Sequence, residues 1–428
     1  MGRTSFLYRA VVRPVLFLLP PETAHRWGMA VLRWATPFLR QGRSAPAKVP
    51  HPPLRGSRVP LAHDCDGPNR PWAQRAFPQE GKENKDFPSP LGRGQGEGFG
   101  QLSRSFNRSA DPRGEVVLKT KSRTLRFANP VGLAAGFDKD GEALAAWATL
   151  GFGFVEVGTV TPRPQPGNPP PRLFRFPARR ALINRMGFNN AGAEALARRL
   201  SRCPPVGIPL GINIGKNKDT PAERATDDYL FCLETLFDFA DFFVVNISSP
   251  NTPGLRALQS AESLEPLLTA IKKRAAALAL EKKGDGCPPL FVKLSPDEER
   301  YEEMVETVVR CGFDGIVATN TTRSREGVAP SAPTDGGLSG APLRDRSTDV
   351  LRTIARAARG RLILIGVGGI FRAEDALEKV LAGASLVEVY TGFVYNGPGF
   401  ARSLANRLAR LAARCGYETV QKAVGKGL

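Results

Sequence analysis

Histidine is nearly missing. The chain of 428 residues has three, His25, His51 and His63, and none beyond position 63. Acid–base chemistry after that point must fall to Ser, Cys, Lys, Tyr, Asp or Glu, and a two-histidine metal site is excluded there. Long apolar runs are missing too. No stretch approaches the ~18 uncharged apolar residues of a spanning helix. The longest N-terminal candidate, Val15–Leu19, lies between Pro14 and Pro20. It is too short for a cleaved signal peptide, and no small-residue cleavage site follows it. Paired cysteines are absent as well: Cys65, Cys203, Cys232, Cys287, Cys311 and Cys415 are scattered, without a CxxC spacing. That suits a reducing compartment and argues against disulfides or structural zinc. No metal is expected.

What is present is a 42% hydrophobic composition and a formal net charge of +19. The length allows one large domain or two to three ordinary ones. The charge calls for anionic partners: nucleic acid, an anionic membrane surface, or small acidic substrates. A general arginine bias gives the same total, so nucleic acid is not expected as a partner.

Three regions follow one another. Residues 1–41 read as a small helical unit. Seven arginines through position 43 face one acid, Glu22, and the segment 24–40 puts Trp27, Val31 and Trp34 at helical spacing, with Arg26, Arg33 and Arg40 available for the other side. Such basic amphipathic helices lie in the headgroup region of a bilayer; a helix pair packing its aromatic stripe onto the main domain fits the periodicity equally. Residues 42–114 hold ten glycines and eleven prolines in 73 positions, a level at which a low-complexity, disordered insert is the expectation. His51, His63 and Cys65 fall inside it and are assigned no chemistry.

From 115 to 428 the pattern is regular. A hairpin (116–119 with 124–127) precedes eight short apolar runs: VGLAA (131–135), GFVEVG (153–158), IPLGINI (208–214), FFVVNI (242–247), LFVKL (290–294), GIVATN (315–320), LILIGV (362–367) and SLVEVY (385–390). Helical segments such as 222–240, 262–281, 297–312 and 373–382 alternate with them. Near-continuous apolar strands between helices mean a covered parallel sheet. Eight such units match a closed (β/α)8 barrel, an α/β fold whose functional groups sit at the C-terminal strand ends.

Those ends carry Lys139, Thr159, Asn213, Asn246 with a serine loop, Lys293, Thr319-Asn320-Thr321, the glycines of GVGGI (366–370), and Tyr390-Thr391-Gly392. Taken singly, Asn caps helices, Thr fits strands and Gly turns the chain. Lys293 inside a strand is harder to dismiss, since a buried lysine is costly unless it meets an anion. Gly368, Gly369, Thr391 and Gly392 follow the last two strands, where such barrels cradle a phosphate on backbone N–H groups. Asn184, Asn189, Asn190, Asn246, Asn251 and Asn320 offer uncharged donor–acceptor pairs for a planar ligand with alternating amide groups, such as a pyrimidine; Asn189 or Asn190 serves a turn or cap.

At these residues the sequence resembles the dihydroorotate dehydrogenases. The matching stretches are NPVGLAAGFDKDG (129–141), EVGTVTPRPQPGNPPPRLFR (156–175), INRMGFNN (183–190), GINIGKNKDT (211–220), NISSPNTPGLR (246–256), ATNTT (318–322), GGLSG (336–340) and GVGGI (366–370). The N-terminal unit is similar to that of the membrane-associated, quinone-using class; the cytosolic classes lack it and carry a cysteine base. The resemblance implies a flavin mononucleotide (FMN) site at Ala135, Gly136, Lys139, Thr159, Asn213, Asn246, Lys293, Thr319, Gly340, Gly369, Tyr390 and Thr391. It implies a dihydroorotate/orotate site at Lys139, Asn184, Arg185, Met186, Gly187, Phe188, Asn246, Asn251, Asn320 and Thr321, with Ser249 as base. Ser249 would take the C5 proton while a hydride leaves C6 for the flavin, and a quinone reaching the N-terminal helices would accept the electrons. Pro250 and Pro253 would stiffen the loop, and Ser248 would be a structural neighbour. A monomer on the cytoplasmic side of the cell inner membrane is expected. The insert replaces what is usually a short link and interrupts no motif. Competing readings are a cytosolic-type enzyme, a barrel reducing uridines in RNA, which would need a cysteine acid absent from the strand ends, and a non-catalytic phosphate-binding barrel.

Overall fold

Residues 7–40 and 110–428, apart from 204, 253, 283–285 and 329–331, are described by a computed structural model. Most of the 42–114 stretch, with His51, His63 and Cys65, lies outside the described residues, as does Pro253.

Strands in chain order are β1 (Val116–Lys119), β2 (Thr124–Phe127), β3 (Val131–Leu133), β4 (Phe154–Val160), β5 (Leu173–Phe176), β6 (Ala181–Asn184), β7 (Leu210–Ile214), β8 (Phe242–Asn246), β9 (Leu290–Leu294), β10 (Gly315–Ala318), β11 (Gly337–Gly340), β12 (Ile363–Val367) and β13 (Leu386–Val389). Each expected apolar run yields one barrel strand, because a strand covered on both faces has no wet side to alternate toward. β3, β4, β7, β8, β9, β10, β12 and β13 pair in that order and close on themselves, every pairing parallel. β5, β6 and β11 form a small antiparallel sheet.

The helices are α1 (Arg13–Leu18), α2 (Pro21–Arg40), α3 (Leu144–Leu150), α4 (Ala193–Arg202), α5 (Ala225–Leu236), α6 (Ala261–Lys282), α7 (Tyr301–Arg310), α8 (Arg344–Ala358), α9 (Ala373–Leu381), α10 (Thr391–Asn396) and α11 (Phe400–Arg414). Expected helix 222–240 shortens to α5 because 3-10 turns flank it.

The two ends of the barrel differ in kind. At the N-terminal end the β1–β2 hairpin plugs the interior, and Phe127, Phe154, Phe242 and Phe291 stack edge to face at 5.5, 6.1 and 5.6 Å. Such aromatic packing excludes water and leaves no room for a site. Toward the other end the inward positions turn polar: Glu156, Asn213, Lys293 and Glu388, then Thr159, Asn246 and Thr319, all buried.

The N-terminal helices dock beside that polar end. Tyr8 donates to Val394 O at 2.7 Å, Arg13 to Tyr395 O at 3.1 Å, and Arg175 to Leu16 O and Phe17 O at 3.3 and 3.1 Å. Glu22 pairs with Arg172 at 2.8 Å and Arg33 with Glu142 at 3.1 Å. On α2, Met29 and His25 face the barrel, His25 lying 4.9 Å from the Phe137 ring. The aromatic stripe does not pack on the main domain: Trp27, Val31 and Trp34 are 63%, 58% and 59% exposed. The inward face is taken by different residues of the same helix, so the stripe is left outside. Leu7, Val11, Val12, Val15 and Leu18 are exposed nearby in sequence. No described helix is long and apolar enough to cross a membrane.

Candidate active site

A cavity of about 1080 Å³, counted to its open mouth, lies at the C-terminal strand ends. Its wall brings together Ala135, Gly136, Lys139, Thr159, Asn184, Met186, Gly187, Phe188, Asn246, Ser249, Asn251, Lys293, Thr319, Asn320, Thr321, Gly340, Gly369, Tyr390 and Thr391. Two of the expected residues stand apart. Asn213 lies one layer deeper, where its amide donates to Glu156 Oε1 at 2.6 Å and its Oδ1 accepts from Thr159 and Asn246 at 2.5 and 3.2 Å. The Arg185 guanidinium turns away, to Asp335 at 2.6 Å and over the Phe174 ring at 5.8 Å. A surface carboxylate and an aromatic face satisfy that cation outside the cavity.

The serine pair is divided by its hydrogen bonds. Ser248 is fully buried, donating to Asn246 Oδ1 at 3.3 Å and accepting from Asn320 Nδ2 at 3.0 Å. Its hydroxyl is spent on tying two asparagines together. Ser249 lines the cavity, and among the described residues its Oγ accepts the Asn251 backbone N–H alone, at 3.3 Å. The Ser249 hydroxyl hydrogen is therefore free to point elsewhere.

Asparagines make the ring around it. Asn251 Nδ2 donates to Asn184 Oδ1 at 3.0 Å, whereas Asn251 Oδ1 is buried without a partner. A buried amide oxygen left open beside a cavity is an acceptor waiting for a ligand N–H. Asn190 is structural: it receives Thr161 N and Gly192 N and donates to Phe188 O. Asn189 takes the Lys139 ammonium.

Lys139 itself is depressed to about 7, by burial first and by the Arg172 charge second. It is thus poised between charged and neutral near neutrality, and an arriving anion would favour the charged form. Burial and then the Lys139 charge also hold His25 below its usual value. On the floor, Lys293 lies 3.5 Å from both Glu156 and Glu388. Burial opposes its charge, but the two carboxylates outweigh it and raise the lysine. The anion that its burial demanded is supplied by the chain. Sequence reading passed over Glu156 and Glu388, although an acid within GFVEVG or SLVEVY is as conspicuous in an apolar strand as the lysine in LFVKL.

One wall is mostly backbone. Gly369 has φ +72°, and a Cβ there would sit 2.4 Å from Arg344 Cα; at Gly340, φ +103°, it would sit 2.3 Å from Arg180 O. Only glycine tolerates both the conformation and the crowding. The Thr391 and Ser339 hydroxyls meet at 2.8 Å on the same side. Exposed peptide groups with hydroxyls beside them make a cradle suited to phosphate.

Lysine on the floor, anion cradle on one wall and amide groups at the mouth of a (β/α)8 barrel define the class of barrel proteins built to hold a planar, phosphorylated ligand. Comparison with known proteins narrows this. The dihydroorotate dehydrogenase family profile matches residues 117–411. The chain is 53% identical over 314 residues to a dihydroorotate dehydrogenase (quinone) of Anaeromyxobacter sp. (strain Fw109-5), covering 72% of this chain and 85% of that one. It is 44% identical to the same-named protein of Gloeobacter violaceus over 422 residues, 98% of each chain. Among solved structures, the Eimeria tenella enzyme in complex with ferulenol superposes with a TM-score of 0.69 at 39% identity, covering 75% of this chain and 89% of that one. The chain belongs to the dihydroorotate dehydrogenase family.

Proposed function

We propose that this chain oxidises (S)-dihydroorotate to orotate with FMN as hydride acceptor and a quinone as final acceptor, in pyrimidine biosynthesis, and that Ser249 is the base. The reaction is the family's, and its quinone form is that of the relatives. The observation that carries the site assignment is the meeting of Ser249, Lys139 and the open Asn251 amide oxygen in one cavity floored by Lys293.

The residues present fit FMN. The glycine wall at Gly340 and Gly369, with Thr391, would hold its phosphate; Thr159, Asn246, Lys293 and Thr319 would meet its ring. Bound there, the flavin supplies a hydride acceptor. The chain's own residues do the rest. Asn184, Asn251 and Asn320 orient a planar cyclic amide, and the unpartnered Asn251 oxygen takes one of its N–H groups. Lys139, recharged by the substrate carboxylate, stabilises negative charge that develops when C5 loses its proton. A lone serine is a weak base, so it works on a substrate acidified in this way and must pass its proton outward. Ser248, committed to Asn246 and Asn320, cannot share that role.

The exposed stripe of α2 and the apolar residues of 7–18 would rest on a membrane surface, peripherally and on the cytoplasmic side of the inner membrane, where a quinone is available. Phe137 links that unit to the cavity, touching His25 of α2 at 4.9 Å and Tyr390 of the wall at 5.2 Å. Quinone would therefore approach between α2 and the barrel. We take the functional unit to be a monomer, with 1–41 as the membrane unit, 42–114 as an insert and 115–428 as the catalytic barrel.

The test is dihydroorotate oxidation by purified protein with a soluble quinone, alongside identification of the flavin released on denaturation. Protein that binds FMN but does not bleach with dihydroorotate would overturn the substrate assignment.

A further inference from the structure

Lys293 and Glu388 floor the cavity and Glu156 lies behind them, and neither the charges nor the donors of the three balance. Lys293 Nζ is 3.5 Å from Glu156 Oε1 and 3.5 Å from Glu388 Oε2. Glu156 Oε1 has a second donor, Asn213 Nδ2, at 2.6 Å. The remaining oxygens, Glu156 Oε2 and Glu388 Oε1, are buried and have no partner. Both residues are 1% exposed or less, and among the described residues no other ion pair reaches either. Two ionised carboxylates with one ammonium would leave a negative charge uncompensated away from water, a state proteins avoid by taking up a proton.

We infer that Glu156 and Glu388 share one proton, resident on Glu388, so that Lys293, Glu156 and Glu388 form a neutral floor. Both carboxyl groups meet at one ammonium, Lys293 Nζ, 3.5 Å from an oxygen of each. A proton held by the pair removes the uncompensated charge and brings a donor to a site where two buried oxygens have none. The proton is placed on Glu388 because Glu156 already receives the Asn213 amide, whereas among the described residues Glu388 receives Lys293 alone. Burial first, and the Glu156 charge second, push the Glu388 carboxyl well above the usual range. Glu156 and Lys293 are the titratable groups that act on it.

The consequence concerns the charge beneath the flavin ring, and so rests on the FMN reading above. With the proton in place, the lysine is balanced by one carboxylate and the floor tolerates electron density arriving above it. Without the proton the floor carries a net negative charge and opposes that density. Glu388 is thus a positioning residue that acts through Lys293 by keeping the floor neutral.

Infrared difference spectra of the purified protein test the proton directly, since a protonated carboxyl has a carbonyl stretch apart from carboxylates. Wild type minus E388Q should show one such band at neutral pH. Wild type minus E156Q should show it too, because either substitution leaves one carboxylate facing one ammonium. The midpoint potential of the bound flavin should fall below that of E388Q at the alkaline pH where the band disappears. A difference spectrum silent for both variants, or a band lost in only one, would overturn the inference. The infrared readout does not involve the flavin, so its failure is separate from a failure to find FMN.

Discussion

Replacing Ser249 by alanine removes one hydroxyl whose Oγ accepts a single bond, 3.3 Å from the Asn251 amide. Ser249 is 5% exposed and borders a cavity rather than packed core, so the stability loss should be about 1 kcal/mol, the worth of one weak hydrogen bond. The loss of proton abstraction is far larger. A positioned base is worth roughly 10²- to 10⁴-fold, about 3–5 kcal/mol in the barrier, and no histidine lies in the barrel to take its place. Anaerobic stopped-flow should therefore show the flavin bleaching slowed by at least about a hundredfold, with FMN content and melting temperature near normal. Ser249→Cys should restore part of the rate, with a pH profile displaced toward the lower pKa of a thiol. Ser248→Ala should behave oppositely: it removes one of two links between Asn246 and Asn320, whose amides also bond directly at 3.3 Å, so substrate affinity falls more than the rate of the chemical step. Near-normal bleaching in Ser249→Ala would refute the base assignment.

Lys379 is fully buried, bonded to Ser347 and Thr348 hydroxyls at 2.8 Å, and depressed to about 7, chiefly by burial. Between pH 7 and 10.5 the unfolded chain holds a proton there that the folded one lacks, so stability should rise with pH across that window by up to about 5 kcal/mol; urea titrations should show Lys379→Met flattening the rise, and an unchanged slope would count against it. Gly369→Ala forces φ +72° on a residue whose new Cβ meets Arg344 Cα at 2.4 Å, and should abolish FMN retention and lower the melting temperature, read by flavin absorbance and calorimetry. Trp27→Glu with Val31→Glu should leave the fold and flavin reduction intact, because both side chains are more than half exposed, yet end sedimentation with anionic vesicles; persistent sedimentation would place the membrane contact elsewhere.

The barrel was legible because its evidence is local: an apolar strand between two amphipathic helices is visible within some thirty residues. The strand ends were legible for the same reason, since the barrel rule says which end of each run faces the site. The outward turn of Arg185 was not, because it depends on Asp335, 150 residues away. Nor was the choice between two faces of α2: periodicity marks Trp27, Val31 and Trp34 as a stripe but does not say what lies opposite.

The order of apolar runs by itself determined a closed (β/α)8 barrel with its chemistry at one end, and the missing histidines excluded imidazole from the strand ends. Only the tertiary structure decided which of two adjacent serines is open to the cavity, and that Lys293 on β9 meets Glu156 on β4 and Glu388 on β13. Those strands are not neighbours in the sheet, and their side chains meet across the barrel interior. Ring closure sets that meeting, and no pattern within a single strand encodes it.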